Sequence, residues 1–379
     1  MGMLTDHERD LAELAQRGRL RELAPAAGVD FTSNDYLALA GSPELRQAAV
    51  DALARGIPIG AGGSRLLRGN HPEHEALEAE AAAFFGAETA LFFGGGFTAN
   101  FSIFSTLPQR GDLVVYDALI HASVHQGIRA GRAEHVAAQH NDAGVFEDAI
   151  GRWRAGGGMG RPWIAVETLY SMDGDRAPLA ELVAIAQRHD GMLVLDEAHA
   201  TGVFGPDGRG LGAAHEGRPN VISLHTCGKA LGAMGGLVCA PHTLRDFLVN
   251  RCRPFIYATA PSPLIAATVR AALKLCRQQP ERRERLARLV AHAGNELRRL
   301  CGIEASGSQI QPVIVGTDAR AVKIAAAMRA HGYDIRAIRP PTVPEGTSRL
   351  RIALTLNASE TVVSAMLEAL AHELRTLDA

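Results

Sequence analysis

Two residues in this chain have the types and the placing for covalent amine chemistry. The apolar run Val221-Ile-Ser-Leu224 leads to a hydroxyl, Thr226, and then to an amine, Lys229, in a loop of small residues. Upstream, the apolar run Met192-Leu-Val-Leu195 ends in Asp196-Glu-Ala-His199. An amine at one strand end and a carboxylate at another is the pair that pyridoxal phosphate chemistry requires. The amine forms a Schiff base with the aldehyde, and the carboxylate keeps the pyridine nitrogen protonated so that the ring accepts electrons. A lysine after a strand is weak evidence alone, because most lysines are solvated surface charges. The elements around it must carry the argument.

From residue 90 onward the pattern is strand, glycine or polar turn, then helix. Candidate strands are 90–93, 113–116, 133–137, 163–167, 192–196, 220–224 and 236–239. Helical spacing fits from about 98 and over 143–155, 178–190 and 241–250. Such alternation implies a mainly parallel sheet covered on both faces, with ligands bound beyond the carboxyl ends of its strands. The turn Gly94-Gly-Gly-Phe-Thr-Ala-Asn100 follows the strand at 90–93 and opens a helix, which makes it a natural phosphate cradle. The strand at 113–116 ends in Asp117-Ala-Leu-Ile-His121-Ala-Ser-Val-His125. His121 and His125 could face one way on a helix, but no third ligand stands near. An aromatic or acid–base role for His121 is the better reading.

Before this region, leucines at 4, 11, 14, 20 and 23 predict an amphipathic helix over 4–23, with Arg17, Arg19 and Arg21 interspersed. Phe31-Thr-Ser-Asn-Asp-Tyr-Leu37 reads as an extended entry and a turn, followed by helix 43–55. Gly60 to Pro72 is too long and glycine-rich for a tight turn, which marks it as a functional loop. Helix 73–85 follows it, with His71 and His74 near its start. With Glu75 they suggest a metal, but nothing else has ligand spacing. Helices 261–276 and 280–300 lead to a second unit of strands 310–315, 333–338 and 349–354 and helices 318–331 and 359–375. The division expected is an N-terminal arm over 1–55, a large domain over 56–280 and a small domain over 281–379.

Composition narrows the classes. The chain has 379 residues, enough for a large and a smaller domain. A formal charge of −2 leaves no electrostatic footprint for nucleic acid or an anionic membrane. Its five cysteines are odd in number and never at C-x-x-C spacing, which favours a reducing cytoplasm over disulfides or a zinc cluster. Met1 to Asp10 carries early acids and no apolar core, unlike a signal peptide. No apolar run reaches the roughly 18 residues that span a bilayer. Asp196-Glu-Ala-His199 also spells a helicase box, yet Gly228-Lys229 has Ser223 where a phosphate loop needs glycine, and Ala230 follows the lysine. A nicotinamide dehydrogenase would need G-x-G-x-x-G, which is missing.

The chain resembles the α-oxoamine synthases, from Ser33-Asn-Asp-Tyr-Leu37 to the last helix. The carrying segments are Gly62-Gly-Ser-Arg65, Gly95-Gly-Phe97, His121-Ala-Ser123, Ser171-Met-Asp-Gly-Asp175, Asp196 to Gly202, and Thr226-Cys-Gly-Lys229. The resemblance implies an aspartate-aminotransferase-like α/β fold (PLP fold type I). Its large domain would hold a mainly parallel seven-stranded sheet, beside a small C-terminal α/β domain. It implies an acyltransferase that uses pyridoxal 5'-phosphate and works as a homodimer with the active site at the interface. Ile338-Arg-Pro-Pro-Thr-Val-Pro-Glu-Gly-Thr347 is most like the biotin branch of the family, whose substrates are L-alanine and pimeloyl-CoA or a pimeloyl-acyl carrier protein. Gly63 to His71 looks more like the wider family.

By the same resemblance, Lys229 is the Schiff-base lysine and proton shuttle, and Asp196 pairs with the pyridinium nitrogen. His199 and Ser171 would hydrogen-bond the ring hydroxyl, and His121 would stack on the ring. Gly96, Phe97 and Thr226 would bind the phosphate, with Thr259 added from the partner subunit. Arg339 would take the amino-acid carboxylate, with Asn34 and Glu167 as supporting residues. One of Arg17, Arg19 and Arg21 would meet the distal carboxylate of the acyl chain. A sister synthase using glycine or serine, an aminotransferase and a non-catalytic partner subunit remain as alternatives.

Overall fold

A computed structural model describes residues 3–23 and 25–378, so positions 1, 2 and 24 of the expected arm and position 379 of the expected small domain lie outside the described residues. The chain divides into two compact units. The larger comprises residues 37–171 and 176–283, and the smaller comprises 1–36, 172–175 and 284–379. In chain order the strands are β1 (Val29–Asp30), β2 (Thr89–Phe93), β3 (Leu113–Asp117), β4 (Glu134–Ala138), β5 (Pro162–Glu167) and β6 (Met192–Asp196). They continue with β7 (Val221–Thr226), β8 (Gly236–Ala240), β9 (Ile310–Gly316), β10 (Tyr333–Asp334), β11 (Arg336–Ile338) and β12 (Ser348–Ala353).

The larger unit is built on a seven-stranded sheet of order β2-β8-β7-β6-β5-β3-β4. All its pairings are parallel except those of β8, which runs antiparallel to both β2 and β7. Every residue of β2, β5, β6, β7 and β8 is buried, as expected of a sheet with helices on both faces. Side chains alternate strictly between those faces. Trp163, Ala165, Met192, Val194, Ile222 and Leu224 pack on one face with Ile103 and Phe104 of helix Gly96–Thr106. Ile164, Val166, Leu193, Leu195 and Val221 pack on the other, against helices Ala143–Ala155 and Leu179–Arg188.

The smaller unit carries an antiparallel sheet of order β11-β12-β9 and a parallel pair β1-β10. Its core joins Leu289, Ala293 and Leu297 of helix Pro280–Cys301 to Val313, Ile324, Leu350, Val363 and Leu367. Among the described residues no helix is long and apolar enough to cross a membrane.

Two expectations are corrected here. The helix expected over 4–23 spans only Thr5–Gln16. Gly18 turns left-handed at φ 64°, and the amides of Gly18 and Arg19 bond back to Ala15 and Leu14 in a Schellman stop. The strand expected over 333–338 is two strands, because Tyr333–Asp334 pairs with Val29–Asp30 whereas Arg336–Ile338 pairs with Arg349–Arg351.

One glycine holds the lysine loop in shape. Gly232 has φ 63°, and its N–H donates to Lys229 O at 2.8 Å. A Cβ there would lie 2.4 Å from Ala40 N and 2.6 Å from the Leu39 carbonyl carbon. Gly232→Ala should therefore cost at least about 2 kcal/mol, from strained backbone and a clash with main chain. Urea unfolding of the two proteins measures this, and equal midpoints would show that the 39–40 segment yields freely.

Candidate active site

Strand alternation determines which side chains meet. Glu167 ends β5 on the face of Trp163 and Ala165, Asp196 ends β6 on the face of Val194, and Thr226 ends β7 on the face of Leu224. All three therefore stand at carboxyl ends on the face covered by helix Gly96–Thr106. There they line a pocket of about 130 Å³ together with Gly96, Phe97, Asn100, His121, Ala198, His199, Leu224 and Lys229.

Asp196 is 5% exposed. Its Oδ1 accepts the Ala198 N–H at 2.9 Å and its Oδ2 accepts from Asn100 Nδ2 at 2.6 Å. Lys229 Nζ lies 2.6 Å from His199 Nε2, so the amine and the imidazole share a hydrogen bond. Glu167 Oε2 accepts the Ser171 N–H at 2.9 Å, while its Oε1 is buried with no hydrogen-bond partner. Burial first, and then the negative charge of Asp196, push the Glu167 carboxyl up to about 8, against the opposing pull of Lys229.

His121 caps helix Ala122–Ala130, its Nδ1 accepting the Ser123 N–H at 3.3 Å. Its ring meets Phe97 edge-on at 6.3 Å. Desolvation lowers its pKa, opposed by Asp196 and helped by Lys229 and His125. Helix Gly96–Thr106 begins at Gly95 with no side-chain cap, so its first-turn amides are available to an anion. A Cβ on Gly96 would sit 3.3 Å from Thr226 Oγ1, so the glycine keeps room between amide and hydroxyl.

Behind the strand ends, the opposite face is anchored by the neighbour of Asp196. Glu197 is fully buried and accepts from Thr168 Oγ1 at 2.8 Å, from Leu211 N at 3.0 Å and from Gly212 N. Burial raises its carboxyl to about 7, which His225 and these donors oppose. His225 stacks on Phe85 with centroids 3.6 Å apart.

Ser171 contributes its amide to Glu167 and is not one of the pocket-lining residues above. Thr259 is exposed and also lies outside that lining. The loop from Gly60 to Pro72 is secured by Arg65, whose guanidinium forms a two-pronged pair with Glu78 at 2.8 and 3.0 Å. His71 and His74 cap helix Pro72–Phe85 reciprocally, and His74 Nε2 lies 2.7 Å from Pro261 O. Both Nδ1 atoms thus serve the helix end.

The remaining predicted residues belong to the smaller unit. Asn34 Oδ1 accepts from Arg351 and from Tyr36 Oη, both at 2.9 Å. Arg339 donates to Gly18 O. Arg19 is clamped by Asp318 and Glu345, both at 2.7 Å, while Arg17 and Arg21 are exposed. Sequence reasoning missed Asn100 and Arg351. The only signal for Asn100 was its place one turn past Gly96 on a helix already expected.

A family model described as aminotransferase class I and II matches residues 26–370. The chain belongs to that family and, within it, to the α-oxoamine synthases. Among curated relatives, the 8-amino-7-oxononanoate synthase of Anaeromyxobacter dehalogenans strain 2CP-1 is 43% identical over 95% of this chain and 90% of the relative. That of Chromobacterium violaceum is 40% identical over 96% and 97%. Among solved structures, Sphingomonas wittichii serine palmitoyltransferase superposes with a TM-score of 0.89 at 28% identity, covering 100% and 99% of the two chains. The 8-amino-7-oxononanoate synthase of Francisella tularensis gives a TM-score of 0.78 at 26% identity, covering 93% and 99%.

The two raised carboxyls give a signed pH dependence. Glu167 and Glu197 hold their protons in the native chain above the ordinary value of 4.5, up to about 8 and about 7. Between those limits these two groups bind more protons in the folded than in the unfolded state, so their contribution to stability falls as pH rises. It is fully present below the unfolded pKa and lost as pH climbs through the native ones. Urea unfolding of the cofactor-free wild type and Glu167→Gln from pH 5 to about 8 should show the wild type losing stability relative to the variant as pH rises. An equal slope in that variant would mean that Glu167 is ionised throughout.

Proposed function

We propose that the chain catalyses a pyridoxal phosphate-dependent decarboxylative condensation of L-alanine with pimeloyl-CoA or a pimeloyl-acyl carrier protein. The products are 8-amino-7-oxononanoate, the free thiol and carbon dioxide, in biotin biosynthesis. The product is the one that the names of the curated relatives carry, and the substrates are those that the resemblance implies. The observation that carries the chemistry is that an amine, a buried carboxylate and an uncapped helix N-terminus line one pocket.

The residues fit the cofactor. Amides at Gly96 and Phe97, with Thr226 Oγ1, suit a phosphate in the space that a side chain on Gly96 would fill. When bound, pyridoxal phosphate supplies a carbon to which amines attach and a ring that withdraws electron density from the substrate α-carbon. Lys229 Nζ is the attachment point at rest. When free of that role, the same nitrogen would take the alanine α-proton and later return it. His199, 2.6 Å from that nitrogen, orients it, and with Ser171 serves the ring hydroxyl. Asp196 would hold a proton on the ring nitrogen, and His121 would pack against the ring.

From the resemblance, Arg339 takes the alanine carboxylate as a planar two-pronged donor, supported by Asn34. Of the three arginines considered for the distal carboxylate, Arg19 already holds two acidic partners, which leaves Arg17 and Arg21 as candidates. A homodimer in which the partner contributes a Thr259 to each site, and a cytoplasmic setting that suits five free cysteines, complete the reading.

One observation favours a second reading. A serine palmitoyltransferase structure containing PLP reaches a TM-score of 0.90 over the whole of both chains, above that of the Francisella synthase. A sister synthase using serine or glycine therefore stays in the test.

Thiol release should be measured with alanine, glycine and serine against short, long and dicarboxylic acyl-CoAs. Alanine with pimeloyl-CoA is expected to lead, and preference for serine with a long-chain donor would establish the sister activity. Lys229→Ala should lower release at least about a thousandfold, and near-wild-type release would refute its role. Asp196→Asn should retain some cofactor but lose exchange of the alanine α-proton with solvent. Exchange at the wild-type rate would remove Asp196 from the electron-sink function.

A further inference from the structure

A single buried amide ties two sides of the pocket together. Asn100 is 2% exposed and lines the pocket one turn into helix Gly96–Thr106. Its Nδ2 donates to Asp196 Oδ2 at 2.6 Å and to Ser123 Oγ at 3.1 Å. Ser123 is fully buried, and its Oγ lies 2.7 Å from His121 Nδ1. The Ser123 backbone N–H donates to that same nitrogen at 3.3 Å.

These contacts permit one arrangement of hydrogens. An ionised carboxylate only accepts, so the nitrogen of the Asn100 amide must face Asp196. The reverse orientation would set a carbonyl oxygen against an anion. The orientation is kept even though Asn100 Oδ1 is left without a hydrogen-bond partner. The second hydrogen of Nδ2 goes to Ser123 Oγ, and because the Ser123 N–H already makes His121 Nδ1 an acceptor, the hydroxyl hydrogen points at that nitrogen as well. Two donors converge on that nitrogen, so it carries no proton.

We infer that Asn100 is a positioning residue: one amide aims the Asp196 carboxylate and, through Ser123, holds His121 as the neutral ring protonated on Nε2. The inference rests on the cofactor reading above, in which Asp196 serves the ring nitrogen and His121 the ring face. It gives that reading a reason to need both residues at once. An imidazolium stacked on a ring bearing a proton would repel it, whereas a neutral imidazole packs against it without charge conflict. Desolvation of His121 acts in the same direction.

The test has two arms on the full chain. The first titrates cofactor-free wild type, Asn100→Ala and Ser123→Ala with pyridoxal phosphate, following the visible absorbance band and its pH midpoint. Asn100→Ala should bind at least about tenfold more weakly and shift the midpoint, whereas Ser123→Ala should stay within about threefold of wild type. The second arm reads the His121 ring nitrogens by ¹⁵N NMR in histidine-labelled holoenzyme, assigned by the signals lost in His121→Gln. Wild type should show Nδ1 bare and Nε2 protonated between about pH 6 and 8, and Ser123→Ala should mix the tautomers. Wild-type affinity and midpoint in Asn100→Ala, or a protonated Nδ1 in wild type, would overturn the inference. If Asn100→Ala does not fold, the NMR arm decides. Failure of wild type itself to bind pyridoxal phosphate would sink the cofactor reading, and so separates the two.

Discussion

A carboxylate that is nearly buried loses most of its hydration and costs several kcal/mol unless donors meet it, and Asp196, on the pocket wall, is such a group. The surrounding structure can be read as what that anion demands. The chain turns sharply after β6 so that the Ala198 N–H returns to Oδ1, and helix Gly96–Thr106 crosses the strand ends with Asn100 placed to reach Oδ2. The same helix presents its uncapped N-terminus to the pocket, so the element that satisfies the anion also forms an anion site of its own. Glu167 is the consequence on the other side. With burial raising its pKa and a charged neighbour on the next strand, it keeps its proton near neutrality.

The dipeptide Asp196-Glu197 shows how one strand end serves chemistry and rigidity together. Alternation sends the first carboxyl toward the pocket and the second to the opposite face. There Glu197 gathers a threonine hydroxyl and two loop amides, which ties the segment at 211–212 to the sheet from behind. A site supported on both faces of its strand keeps its groups in place without relying on a mobile loop. The fully buried His225, stacked on Phe85 one residue before Thr226, does the same for β7.

Backbone similarity does not separate the members of one family, and the physical reason is general. The path of the chain follows from how helices cover a buried sheet, which related enzymes share whatever they condense. The amino acid and acyl group are chosen by a few side chains that leave the backbone unchanged. A TM-score of 0.90 to a serine palmitoyltransferase is thus compatible with 43% identity to an oxononanoate synthase.

What the chain announces without its fold is whatever depends on near neighbours. The apolar runs of β2, β5, β6, β7 and β8, the glycines before Phe97 and the amine three residues past Thr226 are local patterns, and their elements begin and end within a few residues of the expected positions. Local pattern overreached where a single residue intervened, as when Gly18 stopped a helix whose leucine spacing continued. It also overreached where partners changed, as when the strand at 333–338 divided between two sheets. Tertiary structure alone decided the strand order, the engagement of Arg19 with Asp318 and Glu345, and the bond from Asn100 to a carboxylate 96 positions away. It alone decided that Glu167 holds a proton that an exposed glutamate would release. Spacing along the chain records which face of an element a side chain takes, but hydrogen bonding and desolvation depend on distances between elements, which no periodicity encodes.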